Sequence, residues 1–464
     1  MEKGNKRIIR GWVFYDWANS VYNLVISSAI FPIFYDKVTT RSFAMKKFGY
    51  TSDEQYDEAV RTGVDFGEVT VDFFGAQISN SVLFSYVLSA SFLVVAFLSP
   101  MLSGIADVSG NKKRFLQFFC YMGAIACMSL YFFDAERLEL GMLSVFLASI
   151  GFWNSLVFYN AYLPEIAEPE DHDRISARGF TMGYIGSMVL LILCLLWIQL
   201  AKQPAYWCFV FVGVWWIFFS QFTYRVLPNN IYNKPKTKGT LWKGFRELRH
   251  VAGEFGKTVR LKRYLLAFFF FNTGVQTVML MATIFANKEI SWPVDPVTGQ
   301  KDSSGLIIAI LLIQILGAVG AFVMSRLSGR IGNIRTLGVS IVIWIGICVA
   351  ALLVHTPVEF YILASSVGVV MGGVQALARS TYSKLLPETE DHASYFSFYD
   401  ATEKIGIVVG TFSFGFLEAL LGSIRYSVLA VTAFFVIGFV LLWFVPRMES
   451  NRKQADGLLD TTNE

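Results

Sequence analysis

The chain has 464 residues, 54% apolar and 16% charged, against roughly 25% charge in a soluble domain, which excludes an ordinary soluble globule and points to repeated hydrophobic segments. The net charge of +4 gives no reason to expect a nucleic-acid partner. The five cysteines (Cys120, Cys127, Cys194, Cys208, Cys348) lie in apolar runs without the paired spacing of a zinc site, so they read as small core residues, and no disulfide, metal or cofactor is expected.

Basic residues at the N-terminus are followed by a long apolar run without a small-residue cleavage site, which reads as a retained first helix. A spanning helix needs about 20 largely apolar residues. That requirement predicts spans at 11–36, 79–104, 114–133, 140–164, 177–200, 205–227, 264–287, 305–327, 335–354, 358–383, 394–421 and 425–446. The expected fold is all-α: a polytopic membrane protein of twelve transmembrane helices in two six-helix pseudo-repeats. Its parts are an N-terminal bundle at 1–227, a basic linker at 228–263, a C-terminal bundle at 264–446 and a tail at 447–464.

The first span carries Asp16, Asn19, Tyr22 and Asn23 in its first half. Positions 16, 19, 20 and 23 share one helical face. A charge at a membrane helix centre costs roughly 2.5–3.5 kcal/mol, so such groups face a cavity or each other. A polar stripe lines a pore or packs helices. The pore reading is preferred, because the seventh span repeats the pattern with Asn272, Thr273 and Gln276. The 37–78 segment that follows reads as a solvated outer loop, able to cap the outer mouth or meet a partner.

After the second span, "GIADVSGNKK" (104–113) supplies Gly104, Asp107, Gly110, Lys112 and Lys113, expected to build a cytoplasmic gate. Asp107 would face the positive N-terminal end of a neighbouring helix, with the eleventh span the expected one. Asn154, Tyr159 and Asn160 in the fourth span, Tyr184 in the fifth and Gln375 in the tenth are cavity candidates; each is equally suited to an interhelical hydrogen bond. In the linker, Leu241, Phe245, Leu248, Phe255 and Val259 approximate an apolar face opposite Lys and Arg, the pattern of a helix on an anionic leaflet; a solvated linker is the alternative.

Arg379, at the inner end of the tenth span, either binds an anionic group or anchors its helix at the interface by snorkelling, and anchoring is the preferred reading. In the eleventh span Asp400 and Lys404 are four apart, with Glu403 beside them. Lys404 lies about 15 Å from the cytoplasmic end at 1.5 Å per residue. Either the triad is neutral and packs helices, or a carboxylate exchanges a proton while Lys404 holds a substrate carboxylate. The second reading is preferred, because buried acids and lysines titrate readily.

The halves share ordered motifs. Leu163-Pro164-Glu165 recurs at Leu386-Pro387-Glu388, Glu170-Asp171-His172 at Glu390-Asp391-His392, Ile185-Gly186 at Ile405-Gly406, and Gly110-Asn111 at Gly332-Asn333. Their order and near-constant offsets argue for a duplicated six-helix unit, the plan of the major facilitator transporters. The second gate motif, "RLSGRIGNIR" (326–335), has Gly329 where the acid would sit, so an asymmetric gate is expected. With both termini cytoplasmic, 27 of the 39 Lys and Arg fall on cytoplasmic segments, which fits the positive-inside bias.

"YDWANSVY" (15–22), "FYNAYLPEIA" (158–167) with "SARGFTMGYIGS" (176–187), and "GGVQALARSTYSKLLPE" (372–388) together resemble the vacuolar amino-acid effluxer family known from yeast autophagy and its bacterial relatives. The resemblance runs from the first span through the eleventh. It implies a secondary transporter, with amino-acid export on the fungal side. Aromatic rings and both charge signs would suit a zwitterion, whereas a lipid-like amphiphile or a small organic acid would fit the same residues. The reading adopted is proton-coupled export of amino acids or similar zwitterions by a monomer in a bacterial inner membrane. The expected partners are the small-molecule substrate, the coupling ion and the lipid bilayer.

An enzyme is disfavoured: His172, His250, His355 and His392 form no HExxH pair, and no phosphate-binding Gly-x-x-x-x-Gly-Lys-Ser/Thr loop exists. A non-transporting sensor with the same fold remains as the other class.

Overall fold

The computed structural model describes residues 3–64, 66–229, 231–232, 240–293 and 304–446. Among the described residues, twelve helices are long and apolar enough to cross a membrane: Lys6–Phe48, Asn80–Ser109, Lys112–Phe132, Ala135–Ile166, Pro169–Gln199, Tyr206–Val226, Val259–Glu289, Gly305–Ile331, Asn333–Ala351, Pro357–Leu385, His392–Leu421 and Ile424–Trp443. With an even number of spans, the two ends of the helical array lie on one side, here termed the termini end. Large apolar side chains such as Phe97, Ile362 and Phe412 point outward from their helices, as helices bathed in lipid require.

The first span departs from a plain α-helix. Between Lys6–Val21 and Ile30–Phe48 it passes through a π-helical stretch, Tyr22–Ala29. Such wide turns are uncommon and recur at functional sites. Here the stretch follows the polar stripe and keeps Asn23 and Ser28 on the cavity side; the Ser28 hydroxyl donates to the Asn23 carbonyl five residues back, at 3.0 Å.

The 37–78 segment is more ordered than a solvated loop. The first helix continues to Phe48 and ends on Gly49, whose φ of +69° suits glycine. A helix at Asp53–Arg61 follows, capped by Ser52, and then a hairpin of Thr70–Phe73 and Ala76–Ser79. Tyr56 and Ala59 are buried, and the Phe74 amide donates to Glu139 on the fourth span at 3.4 Å. Side-chain anchors of this kind are not visible in local composition.

The linker forms the helix Thr240–Lys257. Leu241, Phe245 and Phe255 of its expected apolar face lie outside the described side chains, and Val259 begins the seventh span, where it is exposed. The helix docks on protein: a Cβ on Gly104 of the second span would strike the Gly244 backbone, and a Cβ on Gly244 would strike Ile105. Val251, seven residues on and therefore on the same face, is buried too.

Candidate functional site

A cavity of about 210 Å³ lies between the two halves, walled by the first, fourth, fifth, seventh, eighth, tenth and eleventh spans. It runs from Arg379, near the termini end of its helix, to Thr283 and Ile310, within two turns of the opposite helix ends.

Its floor is one ion pair. The Asp16 carboxylate accepts from Tyr159 at 2.7 Å and from Arg379 at 3.2 Å. The Arg379 guanidinium also donates to the Ser176 hydroxyl at 2.9 Å, the Ser176 carbonyl at 3.0 Å and Asn160 at 3.3 Å. It sits over the Phe180 and Trp12 rings, and Trp12 stacks on Tyr159. The anchoring reading of Arg379 is therefore corrected. The side chain is buried, and its fork is held by polar groups of the other half where snorkelling would have carried it to the interface. Gly179 makes the approach possible, because a Cβ there would collide with the Asp16 carboxylate.

Asn19 and Asn23 line the wall above the floor, as do Asn160, Tyr184, Asn272, Gln276, Gln375 and Glu403. The Tyr184 hydroxyl donates to Gln375 at 2.8 Å, joining the halves across the cavity. Tyr22 is turned away: it is buried against Phe152 and Trp216 inside the N-terminal half. Position 22 is off the stripe that carries 16, 19, 20 and 23, so its polarity alone was a poor guide. Asn154 also lies outside the cavity, bonded to Ser99 and to the Ile150 carbonyl.

The eleventh-span triad is split. Lys404 Nζ is 3.0 Å from Asp400 and 3.2 Å from Glu403, and it lies 3.5 Å over the Trp153 ring. Asp400 accepts from Ser99 at 3.3 Å. Only Glu403 lines the cavity, where Gln276 donates to it. Lys404 is wholly enclosed, so in this conformation it cannot hold a substrate carboxylate directly; Trp153, which no sequence pattern singled out, lines the cavity and lies against it.

Between floor and termini end the halves are locked. Asp107 accepts from the Ser394 amide at 2.7 Å, the Ser394 hydroxyl at 2.8 Å and the Ala393 amide at 3.3 Å, at the first turn of the eleventh span. These are the orphan donors of a helix N-terminus, with its positive dipole end. Glu165 pairs with Lys112 and, at 3.2 Å, with His392. Across the pseudo-symmetry axis, Asp173 takes Lys384 at 2.6 Å, Asn333 at 2.7 Å and Ser328 at 3.0 Å.

Two gate residues act elsewhere. Lys113 donates to the Leu227 carbonyl within the N-terminal half, and Gly104 contacts the linker helix. Gly110 takes φ +64° at the end of the second span. The acid missing at Gly329 is supplied from the opposite side of the interface, since Ser328 beside it donates to Asp173 at the start of the fifth span. Glu165 and His392 stood inside the repeated "LPE" and "EDH" motifs, so a signal was present.

A closed end, a cavity between pseudo-repeats and buried charge at its floor define a membrane transporter of the major facilitator fold. The chain belongs to the family described as "Vacuole effluxer Atg22 like", which it matches over residues 4–455, in agreement with the resemblance carried by its motifs. It is 30% identical to the uncharacterized MFS-type transporter YxiO of Bacillus subtilis, over 95% of both chains. It is 24% identical to autophagy-related protein 22-1 of Penicillium rubens, covering 96% of this chain and 90% of that one. Among solved structures, the human organic anion transporter MFSD10 superposes with a TM-score of 0.69 at 12% identity, covering 95% of this chain and all of that one.

Proposed function

We propose that the protein is a secondary carrier working by alternating access, which exports amino acids or similar small zwitterions in exchange for protons. The observation that carries this reading is the cavity itself. It joins a buried Asp16–Arg379 pair at the floor to a single carboxylate, Glu403, in the wall. Charges of both signs on opposite halves suit a ligand with both signs, and a half-buried acid lining the cavity suits proton exchange. The bias of Lys and Arg supports placing the termini in the cytoplasm. On that placement the locked end faces inward and the cavity outward, in a bacterial plasma membrane. The membership of a family described as effluxers supports the direction.

The test is efflux from liposomes preloaded with labelled amino acids, with and without an imposed pH gradient. Gradient-stimulated efflux in the wild type, lost in Glu403→Gln while exchange without a gradient persists, is the expected result. Efflux indifferent to pH in both proteins would remove proton coupling.

A further inference from the structure

Two buried amides of the cavity wall have nitrogens without an acceptor. Asn19 on the first span is 1% exposed and Asn272 on the seventh is 4% exposed; both line the cavity, and neither Nδ2 has a hydrogen-bond partner among the described residues. The other end of the Asn19 amide is engaged, accepting from Ser20 at 3.3 Å. An enclosed N–H without an acceptor is unfavourable, and native proteins rarely keep one unless another group completes it. The two carboxylates of the cavity bond to other groups: Asp16 Oδ2 accepts from Arg379 and Tyr159, and Glu403 from Gln276 and Lys404.

The first and seventh spans hold equivalent places in the two pseudo-repeats. One donor therefore comes from each half, and a ligand that accepts from both is gripped by both. An ammonium group has only donors and cannot complete an amide N–H. A carboxylate offers two oxygens, and hydrogen bonds to an ionised acceptor are the stronger kind. We propose that Asn19 and Asn272 form a carboxylate subsite, each amide donating one N–H to the bound acid and so joining the halves through the ligand. This rests on the zwitterion-carrier reading above, and it assigns the zwitterion's negative end to a neutral amide pair.

The test uses the purified full-length protein and its thermal stability as a function of ligand concentration. Three sets of compounds serve as probes: the common amino acids, the same molecules lacking the amino group, and the amines lacking the carboxylate. The expected wild-type result is stabilisation by carboxylate-bearing compounds and weaker stabilisation by amines. Asn19→Ala and Asn272→Ala should each weaken carboxylate binding about tenfold or more and leave the amines unchanged. Asn272→Asp is the second variant, should an alanine variant fail to fold: its charge should reverse the preference toward amines.

If desamino acids bind and amino acids do not, the zwitterion reading fails and the subsite stands. The subsite is overturned if the variants keep the wild-type preference, if they weaken acids and amines equally, or if no carboxylate stabilises the wild type. Equal weakening would mean that the amides only pack the helices or hold water.

Discussion

Gly179 has no side chain because the Asp16 carboxylate and the Arg379 guanidinium occupy the space where one would stand. Gly179→Ala is therefore expected to separate the floor pair and abolish transport while the protein still reaches the membrane; wild-type flux in that variant would show the pair to be dispensable. Arg379→Ala should be the more severe change, since it leaves Asp16 buried without its counter-charge. Breaking one partner of a buried pair costs about 3–5 kcal/mol. Lys404→Met belongs to the same class, because it leaves Asp400 and Glu403 facing each other without the cation between them. The double variant Asp400→Asn, Lys404→Met should regain most of the lost thermal stability. If the double is no better than the single, the lysine stabilises through something other than charge. Much at this scale was legible in the sequence, since Asp16, Asn19 and Asn23 announce a polar face by spacing alone. What was not legible depends on contacts between distant segments: Trp153 covering Lys404, Tyr22 turned into its own half, and Gly179 cleared for a bond between the first and tenth spans.

At the scale of elements, the closure is built from helix termini. The second span brings Asp107 to the N-terminus of the eleventh, and the fifth span brings Asp173 to the ends of the eighth and tenth. The duplicated motifs made a pair of such contacts foreseeable, and Gly329 marked the asymmetry. That the second acid had moved to the other side of the interface could not be read from a motif with a gap in it. Removing Asp107 or Asp173 by alanine should shift the resting population toward a form open at the termini end, with the double variant shifted further. Spin labels placed on both halves at that end would report it as a longer distance component. Unchanged distances in the double variant would mean that apolar packing alone keeps this end closed. The linker helix adds a third contact: Gly244→Leu should lift it from Gly104 and Ile105, detectable as increased hydrogen exchange confined to that helix. The π-helical stretch at Tyr22–Ala29 lay beyond sequence reading, because a wide turn and an α-turn share the same apolar composition.

At the scale of the whole molecule, the proposed carrier requires two six-helix units with charges at one end and a cavity between them to adopt a second arrangement, in which the locked end opens and the other closes. Such exchange needs the locks to be breakable, and these are hydrogen bonds and ion pairs at a helix boundary. Twelve spans, the duplication and the family were all present in the chain's hydropathy and motifs, because those are one-dimensional patterns repeated over hundreds of residues. The depth and contents of the cavity were not, because they follow from how the halves meet. The measurement that tests the carrier account most directly is counterflow: purified protein in sealed liposomes preloaded with mixed amino acids, with labelled amino acids added outside. The account predicts transient accumulation of label above that in empty liposomes, abolished by Arg379→Ala. Folded wild-type protein that binds the label but accumulates none under any preload would contradict it and point to a sensor built on a transporter fold.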